Sequence, residues 1–219
     1  MAKTKEKEEA IKLRLQGLSY SDIKSKLRLS KSTLSVWLRD YPLSEKQLEK
    51  LKDKVPQQVE RCRNTKEKKY KARLDDVYNK ISKDISKLSN REILIAGLFL
   101  YWGEGSKSER YTCGFSNTDP SMVRFFLKWL RLFNIENEKL HITLQLYSDM
   151  DVNKEIKFWS HELDLPTSCF RRPYIKKSTL SGLIYKRGFG HGTCFIRIFN
   201  RDLAEYIHMG IKRISLMDF

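Results

Sequence analysis

One carboxylate stands between two glycines at the end of a long apolar run, where it is well placed to do chemistry. Glu104 is flanked by Gly103 and Gly105 and follows the apolar residues 93–102. Glycines let backbone segments approach closely. The two glycines also end the apolar run, so the carboxylate lies at the end of the run and away from the core. Carboxylate oxygens are ligands for divalent cations such as Mg²⁺. The pattern therefore predicts a cation site at Glu104.

The apolar run is predicted to be a helix that begins with a capping box. Ser89 is followed three residues later by Glu92, and at this spacing each side chain caps the backbone amide of the other residue. The run is too short to cross a membrane. We expect a buried helix that presents Glu104 at its C-terminal end. The alternative is a buried helix with a glycine cap and an exposed glutamate that has no chemical role.

The end of this helix resembles the signature of a nuclease family. Residues 97–105, Gly-Leu-Phe-Leu-Tyr-Trp-Gly-Glu-Gly, are similar to the nine-residue motif of the LAGLIDADG homing endonucleases. In that family two such helices pack side by side, and each contributes one acid to a metal site that cleaves both DNA strands. The resemblance implies a Mg²⁺ cofactor held by Glu104 and Gly103, with Glu104 as the catalytic residue. Phe99 departs from the motif, which usually has a small residue there, and Glu104 replaces the commoner aspartate.

The resemblance also implies a homodimer. The chain has one Gly-Glu-Gly helix and no second copy of it, so cleavage of both strands would need a Glu104 from each of two subunits. Small residues allow two helices to approach closely, and they are present in a shifted register. The residues expected to form the dimer helix are Ala96, Gly97, Leu100 and Gly103.

The composition of the chain favours a nucleic-acid partner. The 219 residues carry a net charge of +16 with 40% hydrophobic residues, which is enough for a core and attracts polyanions, nucleic acid before anionic membrane. No apolar run reaches transmembrane length and the N-terminus has no signal-peptide core, which predicts a cytoplasmic protein without membrane contact. The four scattered cysteines are expected to be free, buried thiols.

Residues 1–43 are predicted to form a helix-turn-helix domain. A helix over 5–16 is followed by a second that Ser19 caps and by a third, 31–39, that Ser30 caps. The segment resembles the resolvase or transposase type of helix-turn-helix, although Lys24 and Arg28 replace a small residue and a glycine. The residues expected to face a major groove are Lys31, Ser32, Ser35 and Arg39. The alternative is a small helical bundle with a solvated basic face.

Residues 44–88 are predicted to be a basic helical linker. Pro56 is expected to break the region into two helical pieces. Residues 61–73 carry seven basic residues and one acid, and this face could follow a phosphate backbone. A solvated helix that binds nothing is nearly as good an explanation for this segment alone.

Residues 89–219 are predicted to form an α+β domain with an antiparallel sheet and packed helices, as the LAGLIDADG resemblance implies. Strands are expected at 111–116, 140–147, 168–175 and 193–199, and helices after Asp119, Asp151 and Asn200. In the family the sheet lies in the major groove. The residues expected to contact DNA from this domain are Lys107, Thr143, Gln145, Arg171, Arg172 and Arg197, together with Thr112 on the same face.

These features predict a sequence-specific DNA-binding protein that acts on double-stranded DNA as a Mg²⁺-dependent homing-type endonuclease and a homodimer. One alternative is a transcriptional regulator that keeps the endonuclease-like fold without cleaving. A weaker alternative is an RNA-binding maturase. The target sequence and the strands cleaved are open at this point.

Overall fold

The chain divides into two compact units, residues 1–86 and residues 87–219. The computed structural model describes residues 2–51, 54–107, 110–179 and 190–217. The described residues of the first unit form five helices, and those of the second form four helices and a four-stranded sheet. The mixed α and β character that the sequence predicts is therefore confirmed.

The first unit begins with three helices, of which the second and third start at their predicted caps. Ser19 Oγ accepts a hydrogen bond from the amide of Asp22 at 3.3 Å, and Ser30 Oγ accepts one from the amide of Thr33 at 3.0 Å. The third helix ends at Trp37 instead of residue 39. The helices of this unit are α1 (Ala2–Leu15), α2 (Tyr20–Leu27), α3 (Lys31–Trp37), α4 (Glu45–Glu49) and α5 (Lys54–Asp84).

A small apolar core holds α1, α2 and α3 together. Ile23, Leu34 and Leu38 are fully buried, and they belong to one cluster with Ala10 of α1. Arg28 connects α2 to α3 with a φ of 52°. This left-handed conformation usually favours glycine, so the turn between the two helices carries local strain at a residue that is not glycine.

The proline in the linker does not break a helix. Two helical pieces are present, as predicted, but the boundary lies between α4 and α5, and Pro56 is the third residue of α5. Proline is tolerated in the first turn because the amide there has no partner within the helix. Residues 54–84 therefore form one continuous helix.

The second unit alternates helices and strands in the predicted order. Ser89, Asp119, Asp151 and Asn200 each cap the helix that follows them. The elements are α6 (Asn90–Glu104), β1 (Thr112–Asn117), α7 (Pro120–Arg131), β2 (His141–Tyr147), α8 (Val152–Leu163), β3 (Tyr174–Lys176), β4 (Thr193–Phe199) and α9 (Arg201–Ser215).

The sheet is mixed and not antiparallel throughout. Its strand order is β1-β4-β2-β3, in which β4 pairs antiparallel with both neighbours and β2 pairs parallel with β3. The strand predicted at 168–175 is wrong for most of its length. Residues 167–169 form a 3-10 turn and only Tyr174–Lys176 pair as a strand, because α8 returns the chain to the β2 edge in the parallel direction.

One apolar core lies between the sheet and the helices of the second unit. Trp129 and Trp159 are fully buried in it. The side chain of Trp102 is instead 39% exposed. Trp102 lies one residue after buried Tyr101 on α6, and this step of a helix turns it toward the surface.

Replacing Gly97 with alanine is expected to destabilise the second unit by about 1–3 kcal/mol. A Cβ added at Gly97 would lie 2.1 Å from Cδ1 of the fully buried Trp129, so the two helices would have to separate. Gly103→Ala is the matched control, because a Cβ there meets nothing within 4 Å. Denaturant unfolding of both variants measures the difference. Equal stabilities would contradict the close packing of α6 on α7.

None of the helices formed by the described residues is long and apolar enough to span a membrane. All four cysteines are free, as predicted. Burial raises the pKa of the Cys113 thiol to about 12, and it also raises the pKa of Cys194. The predicted burial is wrong for Cys62, which is exposed, and Cys169 is only half-buried.

Candidate nucleic-acid interface

Glu104 is the last residue of α6, and its side chain is exposed. The chain then joins the edge of the sheet at once, because Gly105 forms a bridge with Phe115 of β1 and the amide of Ser106 donates to the carbonyl of Gly114 at 2.8 Å. The predicted position of the acid at the end of the apolar helix is therefore confirmed. The carboxylate stands where a helix end and a sheet edge meet.

The turn after Glu104 is fixed by a buried tyrosine. The Tyr101 hydroxyl donates to the carbonyl of Ser106 at 2.7 Å and accepts from the amide of Gly114 at 3.3 Å. A Cβ at Gly105 would lie 2.5 Å from the Tyr101 ring, so this position needs glycine for close approach. These contacts give Glu104 a rigid backbone on its C-terminal side.

The electrostatic setting of Glu104 favours a cation. The C-terminal end of a helix carries partial negative charge on its free carbonyls, and the last turn of α6 has no basic residue. A carboxylate added there is disfavoured unless a positive charge lies nearby. The ammonium of Lys107 lies 3.4 Å from the carbonyl oxygen of Gly103. The predicted ligands Glu104 and Gly103, with the predicted DNA contact Lys107, are thus brought together.

The described residues of a single chain supply few ligands for a metal ion. Within residues 2–51, 54–107, 110–179 and 190–217, no group of three or more His, Cys, Asp and Glu side chains could hold one. Hard oxygen donors of the kind Mg²⁺ prefers are present at Glu104 and Gly103, and Mg²⁺ is commonly held by one or two carboxylates together with phosphates and waters. The donor set fits Mg²⁺ if a second carboxylate or a phosphate completes it.

The predicted dimer helix divides between two faces of α6. Gly97 is buried against Trp129. The prediction that it contacts a second subunit is therefore wrong, and Gly97 makes a contact within the domain instead. Ala96 and Leu100 are half-buried, and Leu100 packs against the core. Gly103 faces open space, where nothing lies within 4 Å of an added Cβ.

The exposed face of α6 is made by residues that the prediction did not include. Ile95, Phe99 and Trp102 are 40%, 48% and 39% exposed, and the rings of Phe99 and Trp102 stack with centroids 6.0 Å apart. Their spacing of i, i+4 and i+7 places them on one side of a helix. That spacing was visible in the sequence, but an all-apolar helix does not reveal which of its sides is covered.

The open face of the sheet carries three of the predicted DNA contacts. Thr143 and Gln145 alternate with the buried residues of β2, and Arg197 alternates with those of β4. Thr143 lies opposite Phe195 and Arg197 lies opposite His141. Thr112, on the same face, is largely buried.

Aromatic side chains on this face were not predicted. Phe195 lies under the guanidinium of Arg197 at 5.0 Å, and Phe199 packs edge-on against His141 at 4.9 Å. Tyr174 of β3 is 61% exposed. The period-2 pattern of β4 in the sequence could have predicted that Phe195 and Phe199 share a face with Arg197, since all three alternate with buried residues.

Arg171 and Arg172 lie in an extended segment beside β2. Both side chains are exposed, and the amide of Arg171 donates to the carbonyl of Ile142 at 2.7 Å. They are therefore anchored through the backbone at the β2 edge, although they are outside the strand in which they were predicted.

In the first unit, the predicted contacts lie on the free surface of α3 and just after it. Lys31, Ser32 and Arg39 are exposed and Ser35 is half-buried. Ser32 Oγ lies 2.8 Å from the capping hydroxyl of Ser30. Val36 was not predicted, but it is 56% exposed. Because residues four apart share a helix face, Val36 lies on the same face of α3 as Ser32.

The basic residues of α5 face the same groove as α3. A groove of about 1090 Å³ is lined by Ser35 and Arg39 on one side and by Arg63, Lys66 and Lys71 on the other. The basic part of α5, residues 61–73, thus lies next to the candidate recognition surface.

A buried ion pair fixes α5 to the N-terminal helices. Arg14 and Glu60 are 1% and 2% exposed, and their side chains meet at 2.8 Å. Arg63 adds a second ion pair to Glu60 at 2.8 Å and lies 3.9 Å above the ring of Tyr20. Burial acts to raise the pKa of Glu60, but the hydrogen bond from Arg14 and the charges of both arginines outweigh it, so that pKa is lowered.

Comparisons of this chain with protein-family models, with curated proteins and with solved structures found no match.

Proposed function

We propose that this protein is a Mg²⁺-dependent, sequence-specific DNA endonuclease that acts as a homodimer. The observation that carries the proposal is the position of Glu104, exposed at the C-terminal end of α6 beside the sheet edge. The same helix presents an apolar face with an open glycine at 103. Two copies of α6 in contact through this face would bring two carboxylates to one place.

The proposed chemistry uses few residues of this chain. A bound Mg²⁺ supplies Lewis-acid polarisation of the phosphate and lowers the pKa of an attacking water. Glu104 of each subunit would hold the ion, and Lys107, Arg171 and Arg172 would bind phosphates of the DNA as charge partners. Thr143, Gln145 and Arg197 contact base edges from the open face of the sheet.

We also propose that α2 and α3 act as a helix-turn-helix, with α3 in the major groove. Arg39 and Lys31 would contact phosphates or guanine, and the exposed methyl groups of Val36 suit the 5-methyl of thymine. The basic groove wall of α5 would follow the adjacent backbone. This second contact region would lengthen the recognised site beyond the part bound by the sheet.

Binding selection from a randomised library of DNA duplexes, with structured RNA as competitor, tests the recognition half of the proposal. A defined duplex sequence is expected to be enriched. Arg39→Ala is expected to weaken binding to that sequence roughly tenfold to a hundredfold, the cost of one good contact. Lys5→Ala on α1 removes the same charge and serves as the control. Preferential recovery of the RNA would contradict the proposal.

A transcriptional regulator is the second candidate. It is supported by the small ligand set in one protomer, since no three-residue metal cluster is found in the part of the chain that the structure describes. Such a protein would select the same DNA without cutting it. The exposed Glu104 is harder to explain on this hypothesis, because a carboxylate repels phosphate when no cation is bound.

A further inference from the structure

An apolar stripe runs along the second half of α5. Its side chains are between 44% and 70% exposed. Ile85 follows the last residue of α5, but its amide still donates to the carbonyl of Ile81 at 2.8 Å. At 3.6 residues per turn the stripe spans an arc of about 100°, the width by which amphipathic helices pack. The stripe consists of Tyr70, Leu74, Val77, Tyr78, Ile81 and Ile85.

The stripe takes no part in a core. Among the residues that the structure describes, none of its members belongs to either buried apolar cluster. The remaining surface of this half of the helix is polar and strongly charged. A contiguous exposed apolar patch with a polar rim marks an interaction surface.

We propose that the stripe binds the same stripe of a second copy of this chain, with the two helices antiparallel. The sequence intervals between successive stripe residues are the same when they are counted from either end of the stripe. When Val77 lies opposite Tyr78 of the other copy, Leu74 lies opposite Ile81 and Tyr70 lies opposite Ile85. A two-fold dimer requires this reciprocity, in which residue i contacts j and residue j contacts i.

The charges along α5 select the antiparallel arrangement. Residues 66–73 contain five basic residues and one acid, whereas residues 82–89 contain two lysines and one aspartate. A parallel pair would place the first segment beside its own copy, and like charges at close range repel. The antiparallel pair keeps the two basic segments apart, because each then lies toward the far end of the partner's helix, which ends at Asp84.

Charged residues at the edge of the stripe also favour the antiparallel pair. In the antiparallel register Arg73 lies beside Asp84 of the other copy. This pair occurs twice because of the two-fold symmetry. Arg73 and Asp84 of one chain are about 16 Å apart along the helix, so a direct ion pair between them forms only between chains.

Disulfide trapping in the full-length chain tests the register. In a background with Cys62→Ser and Cys169→Ser, Leu74→Cys and Ile81→Cys are prepared as two separate variants and oxidised alone or mixed. The mixture is expected to give a cross-linked dimer, whereas each variant alone is expected to stay largely uncross-linked. Efficient cross-linking of each variant alone would establish a parallel pair and overturn the antiparallel one. No cross-link in any sample would overturn the pairing itself.

Charge reversal provides the second test. Arg73→Glu is expected to raise the dimer dissociation constant roughly tenfold, because two exposed ion pairs become repulsions. Asp84→Arg is expected to do the same, and the double variant is expected to restore the original value. Asn79→Glu, on the opposite side of the helix, is the control and should leave it unchanged. A double variant that is weaker than both single variants would overturn the proposal.

These tests are independent of DNA cleavage and of the proposed α6 contact. Sedimentation of the variants without DNA reports the dissociation constant, and the cross-link pattern reports the α5 register even if α6 adds a second contact. If cleavage is absent and the mixed cross-link still forms, the proposed nuclease function fails while the α5 pairing stands.

Discussion

Replacing Glu104 with glutamine is expected to abolish DNA cleavage and to leave DNA affinity nearly unchanged. The change removes the one exposed carboxylate at the end of α6, and with it a charged ligand for the proposed Mg²⁺. Loss of several kcal/mol of transition-state stabilisation corresponds to a rate at least about 10³-fold lower. Affinity is retained because the proposed DNA contacts are basic and polar residues elsewhere. Cleavage is measured on the selected duplex, and affinity by titration of the same duplex.

Two further variants make the Glu104 result specific. Glu138→Gln removes an exposed carboxylate from the same unit and is expected to leave cleavage unchanged. Glu104→Asp keeps the charge on a shorter side chain and is expected to retain part of the rate. Full cleavage by the Glu104→Gln variant would rule out the proposed role of this residue.

Replacing Glu60 with alanine is expected to destabilise the first unit by about 3–5 kcal/mol, the cost of leaving one partner of a buried ion pair without the other. Arg14 is 1% exposed, and its charge would remain in the interior. The same change removes the ion pair to Arg63 and the contact from the amide of Tyr20. Hydrogen exchange of the α1 and α2 amides measures the loss. Glu8→Ala, an exposed acid on α1, is the control and should change stability by less than about 0.5 kcal/mol.

The same ion pair predicts a pH dependence with a definite sign. The pKa of Glu60 is lowered in the folded chain from its ordinary value of 4.5, so the folded state binds this proton less readily than the unfolded state. The stabilisation is complete above that ordinary value and is lost as the pH falls through the lower, folded pKa. Acid unfolding of the first unit should begin at a higher pH in the Glu60→Ala variant. Identical acid transitions would contradict the role of the pair.

Local signals in the sequence predicted most of the elements of this fold. Ser19, Ser30, Ser89 and Asn200 cap helices because a short polar side chain satisfies amides that the first turn leaves free. The alternation of β2 places Thr143 and Gln145 on the open face for an equally local reason. Where a few neighbouring residues decide the conformation, the prediction succeeded.

Contacts between distant residues could not be predicted in this way. Arg14 and Glu60 are 46 positions apart, and no local sequence pattern around either residue predicts that a buried ion pair joins them. The parallel pairing of β3 depends on where α8 returns the chain, and a three-residue strand carries little pattern of its own. The burial of Gly97 and the exposure of Phe99 depend on which side of an apolar helix its neighbours cover.

The central claim is that this protein cleaves DNA at a defined sequence. Incubation of the purified full-length chain with a randomised duplex library, followed by sequencing of the ends produced, tests it most directly. We expect ends that cluster at one sequence in the presence of Mg²⁺ and disappear when EDTA is added. Enrichment of one bound sequence without any new ends, at every Mg²⁺ concentration, would contradict the endonuclease and support the regulator.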